Sequence, residues 1–321
     1  MSVPTTTLII PAFDEADRLA AGFTRLQTAA AEGRVDLDDL VVIYVDDGST
    51  DDTATVAASL VATLPHGSVI TQGTNRGKGA AVRAGVASAC TRNLIFTDAD
   101  MAIDPRQIPT LLTALDDAPI SVGSRTVRGH IDYGSWVRTR AGRSFNRIVR
   151  SVSAVELRDT QCGFKGISTA HAKILFALTG IDGFAFDVEI LSRARLLGWS
   201  VTEVPVSWSD VGGSHVRLAR DSISMLRDLL GARLRSSHLP SLPGLDQVAD
   251  GDLHALAASV ANTPLQAAPV LCRDDGTLCL LAPLVKDADG ELSLLASRVG
   301  GQRLEVGLTE LASSRVQPAL A

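Results

Sequence analysis

Three apolar runs, Leu8 to Ile10, Leu40 to Val45 and Leu94 to Phe96, each stop abruptly at a polar or acidic cluster. Short apolar runs bounded by turn residues read as buried strands. Between the first two lies a helical pattern, opened by Asp14-Glu15 and carried by Leu19, Phe23 and Leu26. Strand, acidic loop, helix and strand in alternation describe a parallel α/β sheet flanked by helices. Ligands of such sheets collect at the carboxyl ends of the strands. Pro11 to Glu15, Asp46 to Ser49 and Asp98 to Asp100, distant in sequence, are therefore expected to meet on one edge.

Asp98 and Asp100 are separated by one residue, and alternate side chains of an extended chain point the same way. Two such carboxylates can converge on a hard divalent cation whose other ligands are waters and a diphosphate. A bare D-x-D triplet also recurs by chance among solvated turns, so its meaning rests on context.

Ser68 to Thr71 reads as a third strand, and Asn75-Arg76-Gly77-Lys78-Gly79 leads from it into a helix. Glycines 77 and 79 permit close backbone approach, and Lys78 with the helix N-terminus offers positive potential to a nucleotide. Alone, the same residues describe a surface turn. Ile120 to Gly123 delivers Ser124-Arg125 to the same edge, at the start of an arginine-rich stretch that runs to Arg150. A solvated basic helix face accounts equally for the later arginines. Arg125, at a strand end, and Arg138, at a helix start, are the candidates for phosphate contact. Asp159 to Lys165 holds too few apolar residues for a core strand and precedes a helix over Ser168 to Leu178. Asp187 and Glu189 open the next helix, as functional acids or as complements to its dipole.

The net charge of −6 excludes a general nucleic-acid binder. The four cysteines form no close C-x-x-C pair, so zinc and dithiol redox sites are not expected and reduced thiols are. The short polar lead before Leu8 lacks the pattern of a signal peptide. No stretch matches a spanning helix of about 20 apolar residues. The expected location is the cytoplasm. The amphipathic helix read over Val216 to Leu234 suits packing on the core or peripheral contact with the cytoplasmic face of an anionic membrane.

The domain reading is an α/β domain over 1–236, a linker over 237–252 that is rich in Ser and Pro as far as Gly244, and a small β-rich module over 253–321. Turn sequences at Arg273-Asp274-Asp275-Gly276, Asp287-Ala288-Asp289-Gly290 and Gly300-Gly301 predict an antiparallel meander of about four strands. Its open edges are expected to pair with the larger domain or with another copy, giving a homo-oligomer.

Pro11-Ala12-Phe13-Asp14-Glu15, Val45 to Ser49, Asn75 to Gly79, Thr97 to Asp100 and Gly123-Ser124-Arg125, in this order, resemble the family 2 inverting glycosyltransferases of GT-A fold. Asp159 to Lys165, Phe186 to Glu189 and Glu203 to Trp208 narrow the likeness to the dolichyl-phosphate β-glucosyltransferase and polyprenyl-phosphate mannosyltransferase branch. The likeness spans roughly residues 5 to 235. It implies that Pro11, Phe13, Glu15, Asp46, Asp47, Gly77, Lys78 and Asp98 contact the nucleotide sugar, and that Asp98 and Asp100 bind Mg²⁺ or Mn²⁺. It also implies that Arg125 and Arg138 hold an acceptor phosphate beside Asp187 and Glu189. The implied donor is UDP-glucose, with GDP-mannose the other candidate, and the implied acceptor is a polyprenyl phosphate. Asp14 stands where the family usually has asparagine, Met101 replaces the usual glycine, and membrane segments common in relatives are absent.

A phosphate monoester is substantially anionic at neutral pH, its second pKa lying near ~6. Such an acceptor needs no strong base, and Asp187 or Glu189 would orient it. With an alcohol acceptor one of them would take a proton. The alternatives are the same donor chemistry on a soluble acceptor and a catalytically silent scaffold that binds sugar nucleotides. A nucleotidyltransferase would carry a glycine-rich loop near the N-terminus, and none follows Ile10.

Overall fold

The computed structural model describes residues 3–125, 157–177, 179–196, 198–209, 225, 227–228, 270–274, 277–286, 292–298 and 303–307. Arg138, the linker over 237–252 and nearly all of the helix read over Val216 to Leu234 lie outside them.

The N-terminal part alternates as its apolar runs predict. β1 (Thr6–Ala12), α1 (Ala16–Ala31), β2 (Leu40–Asp46), α2 (Thr53–Val61), β3 (Gly67–Thr71), α3 (Lys78–Ser88) and β4 (Asn93–Phe96) follow one another. The chain continues through α4 (Ile108–Thr113), β5 (Ile120–Ser124), β6 (Lys165–Ser168), α5 (Thr169–Ala177), α6 (Phe186–Leu196) and β7 (Val201–Pro205). The seven strands form one sheet in the order β3-β2-β1-β4-β6-β5-β7. All neighbours are parallel except β6, which runs antiparallel to both β4 and β5.

Strand periodicity sorts the core into two layers. Leu8, Ile10, Val42, Tyr44 and Ile95 pack with Leu19 and Leu26 of α1, Ala57 of α2 and Leu111 of α4. Ile9, Ile43, Val45, Leu94 and Phe96 pack on the opposite face with Val82 and Val86 of α3, Phe176 of α5 and Ile190 of α6. Because both faces are covered, these strands are apolar at successive positions rather than alternating.

β6 departs from the sequence reading, which found no core strand near Lys165. It is four residues long, and its first side chain, the lysine, is wholly buried. Its reversed direction delivers its beginning, with Cys162 and Gly163 just before it, to the edge where the parallel strands deliver their ends. Phe186, at the start of α6, lies 5.7 Å centroid to centroid from Phe96 at the end of β4 and 6.3 Å from Phe176. This aromatic cluster sets the N-terminus of α6 against the β4 edge.

The C-terminal strands β8 (Val270–Asp274), β9 (Thr277–Lys286), β10 (Leu292–Arg298) and β11 (Arg303–Gly307) form an antiparallel meander, as the turn chemistry predicts.

Candidate active site

The acidic pair lies just beyond β4, where Thr97 N still donates to Ile9 O. Asp98 Oδ1 accepts from Lys78 Nζ at 2.5 Å, and its side chain is about half exposed (48%). Asp100 is less exposed (18%). Its Oδ1 accepts from Ala102 N at 3.1 Å and its Oδ2 pairs with Arg18. Burial and the neighbouring charge of Asp98 push the Asp100 carboxyl above the ordinary range, against the Ala102 hydrogen bond and the charges of Arg18 and Lys78.

The residues fit a hard divalent ion. Two carboxylates supply oxygen donors. Gly163 keeps the approach to Asp98 clear, since a Cβ there would lie 2.6 Å from Asp98 Oδ2. Among the described residues no third His, Cys, Asp or Glu completes a metal cluster. The remaining ligands would come from a diphosphate and water.

The loops after β1, β2 and β3 are tied together by their own polar groups. Asp46 Oδ1 accepts from Ser49 N at 3.1 Å and closes the turn after β2. Asp47 accepts from Arg76 N at 3.0 Å and Gly77 N at 2.7 Å, which holds the loop that carries Lys78. Pro11 is buried within β1, and Phe13 stands exposed beyond its end. Glu15 Oε1 accepts from Arg18 Nη1 at 3.0 Å, and Glu15 N donates to Thr53 Oγ1.

The glycines of the Gly77-Lys78-Gly79 loop serve chain packing. Gly77 has φ of 109°, and a Cβ there would press on the carbonyl of Asp182. Gly79 N and Ala80 N at the α3 N-terminus donate to Asp182 O at 2.7 and 3.2 Å. The helix N-terminus offered to a nucleotide in the sequence reading is thus capped from within the chain, and Lys78 carries the positive charge forward.

The two residues named as departures by the resemblance fall on left-handed backbone, with φ of 50° at Asp14 and 45° at Met101. Asparagine, aspartate and glycine enter that region most readily. Asp14 Oδ1 accepts from Thr50 N at 2.8 Å, so its charge joins the β1 and β2 loops. Met101 is strained, but its side chain is 1% exposed, and the burial offsets the strain.

Beyond β5, Arg125 grips Asp159 with two bonds, Nε to Oδ2 at 2.7 Å and Nη2 to Oδ1 at 3.0 Å. Burial opposes the Asp159 charge, yet the hydrogen bond and charge of Arg125 hold its carboxyl below the ordinary range. Asp187 Oδ1 accepts from Lys165 Nζ at 2.7 Å, both side chains being buried. Lys165 also donates to Cys162 O. Glu189 Oε2 accepts from Gly180 N and Ile181 N at 3.1 and 2.8 Å, and Oε1 faces Arg193 at 3.5 Å. The two acids of α6 therefore differ. Burial lowers the Lys78 pKa, but the charges of Asp98 and of Asp187 outweigh it and raise the ammonium above its ordinary range, so Asp187 acts on the Lys78 side of the site. Glu189 turns back to brace the loop before its own helix.

The family model described as glycosyl transferase family 2 matches residues 7–175. This chain belongs to that family. The dolichyl-phosphate beta-glucosyltransferase of Drosophila melanogaster is 34% identical over 238 residues, covering 70% of this chain and 72% of the relative. That of Dictyostelium discoideum is 30% identical over 241 residues, covering 71% and 74%. Among solved structures, glucosyl-3-phosphoglycerate synthase from Mycobacterium tuberculosis in complex with Mn²⁺, uridine-diphosphate and glucosyl-3-phosphoglycerate aligns with a TM-score of 0.53. Its identity is 18%, over 71% of this chain and 80% of that one, which speaks for a shared GT-A fold.

In this family 2 glycosyltransferase, four edge residues escaped the sequence reading of roles: Arg18, Asp159, Gly163 and Lys165. The last three sit in the stretch Asp159-Thr160-Gln161-Cys162-Gly163-Phe164-Lys165, which was legible as a motif. Its tasks were not, because they depend on the reversed direction of β6. Arg18 carried no signal, since one arginine in the first turn of an amphipathic helix reads as surface.

Proposed function

We propose that this family 2 glycosyltransferase moves a glucosyl group, with inversion, from UDP-glucose to a polyprenyl phosphate, with Mg²⁺ or Mn²⁺ held by Asp98 and Asp100. The observation that carries the acceptor class is the engagement of both α6 carboxylates. Asp187 is held by a buried ammonium, and Glu189 by two backbone N–H groups and Arg193. Protonating Asp187 would strand the buried Lys165 charge, which is strongly unfavourable. An acceptor that must lose a proton is poorly served here. A phosphate monoester arrives already anionic.

The relatives' names, dolichyl-phosphate beta-glucosyltransferase, support the same reading, and the aligned synthase was solved as a complex with uridine-diphosphate. Bound, the cation would neutralise charge that develops on the departing diphosphate. Lys78, paired with Asp98, would supply a second positive group there. Arg125, oriented by Asp159, would grip the acceptor phosphate, with Arg138 its expected companion. A phosphate oxygen then attacks the anomeric carbon on the face opposite the diphosphate. The carbon–oxygen bond to UDP breaks, and no proton needs to move. Among the described residues no helix is long and apolar enough to cross a membrane.

The test is incubation with UDP-glucose or GDP-mannose and Mn²⁺ or Mg²⁺, offering a polyprenyl phosphate, the matching polyprenol and a soluble phosphate monoester. Products are identified by mass spectrometry. The expected product is the glucosylated polyprenyl phosphate. Comparable glucosylation of the polyprenol would overturn the acceptor assignment, and a product from the soluble phosphate alone would favour the soluble alternative.

A further inference from the structure

We propose that Arg18 is a positioning residue that joins Glu15 to Asp100, so that nucleotide and divalent cation each strengthen the other's binding. The inference rests on the reading of Glu15 as a nucleotide contact and of Asp100 as a metal ligand.

Arg18, Gly22 and Arg25 fall on one face of α1, at the i, i+4, i+7 spacing of successive turns. All three meet the loop that holds the acidic pair. Arg25 Nη1 donates to Met101 O at 3.1 Å and to Ser209 Oγ at 3.2 Å. Gly22 lies so close to Ala99 that a Cβ would overlap its carbonyl oxygen. Arg18 spans the front of the same loop, Nη1 on Glu15 Oε1 at 3.0 Å and Nη2 on Asp100 Oδ2. The helix thus fixes the backbone of the loop at two turns and the carboxylate at a third.

An ordinary i,i+3 surface pair would hold Glu15 alone and would lie in solvent. Here the side chains of Arg18, Glu15 and Asp100 are 17–18% exposed, and the second carboxylate is 82 residues away in sequence. With Ala102 N on one oxygen and Arg18 on the other, Asp100 cannot rotate, while each oxygen keeps a lone pair for a cation. Hydrogen-bonded partners of this kind orient metal-binding carboxylates. Because one planar guanidinium serves both acids, a displacement of either is felt by the other.

The test titrates the full chain with UDP by calorimetry, with and without Mn²⁺, and with Mn²⁺ by electron paramagnetic resonance. The ratio of UDP affinities with and without the ion measures the coupling. In Arg18→Met that ratio should fall on the order of tenfold. Arg18→Lys, which keeps the charge but replaces the planar fork with a single nitrogen, should fall between, and carries the comparison if Arg18→Met does not fold by circular dichroism. In an Asp100→Asn background, Arg18→Met should cause no further loss. A wild-type ratio in either Arg18 variant, or full additivity with Asp100→Asn, overturns the assignment. Wild-type protein that binds UDP with no response to Mn²⁺ instead refutes the metal reading on which the inference stands.

Discussion

Asp98 and Asp100 differ in surroundings, one half exposed on Lys78 and the other partly buried under Arg18, yet the proposed metal site asks both for a full negative charge. Asp98→Asn and Asp100→Asn should each lower metal-dependent turnover by at least a hundredfold with unchanged circular dichroism. Near wild-type rates in either variant would remove that residue from the metal site. Lys165 makes a second case, for its ammonium is wholly buried against Asp187. Lys165→Met leaves a buried carboxylate unpaired and should cost about 3–5 kcal/mol in urea unfolding. Lys165→Met with Asp187→Leu should recover much of that loss, and a double variant no more stable than the single one would contradict the pairing. Met101 sets strain against burial. Met101→Ala and Met101→Gly both give up about 2 kcal/mol of burial, but alanine keeps the strain whereas glycine relieves about 1 kcal/mol of it. The glycine variant should melt at the higher temperature, and the reverse order would show that position 101 is unstrained.

Among the elements, the loop after β2 and the N-terminus of α3 act together because Asp47 accepts from Arg76 N and Gly77 N. Burial pushes the Asp47 carboxyl upward although both N–H groups favour its charge. Asp47→Ala should release this loop, move Lys78 off Asp98 and raise the donor KM about tenfold, an effect of roughly 1.4 kcal/mol. The far-UV circular dichroism should not change, and an unaltered KM in steady-state kinetics would leave Asp47 with no part in donor binding. These elements were legible where a strand was apolar at successive positions and ended in turn residues, as β1, β2 and β4 do. β6 was not, because Lys-Gly-Ile-Ser has no strand pattern of its own and is held by pairing with β4 on one side and β5 on the other. Tertiary pairing overrides local preference in such a strand.

For the whole molecule, the division of labour follows from where the chemistry lies. Every described candidate for metal, nucleotide and acceptor binding precedes Val201, and the meander of β8 to β11 lies beyond residue 269. We expect the C-terminal strands to act as a separate module that pairs with the catalytic part or with a second copy. Truncation after Leu242 should preserve metal-dependent hydrolysis of UDP-glucose while changing the oligomeric state by light scattering or the use of acceptor. A truncated protein that stays folded by circular dichroism but no longer hydrolyses the donor would make the meander part of the active site.

The alternation of strands and helices, the acidic loops at the strand ends and the order of motifs that marks the family could all be read from the chain alone. Those properties are local: side-chain period and turn chemistry act within a few residues of each other. How the charges pair emerged only from the folded arrangement. Lys78 takes Asp98, Arg18 takes Asp100, Arg125 takes Asp159, and Lys165 takes Asp187 rather than Glu189. None of these pairs is set by spacing along the chain. Each depends on an element arriving from elsewhere, above all on β6 entering the sheet in reverse and on α1 lying across the loop after β4, where burial makes an unpaired charge too costly to leave.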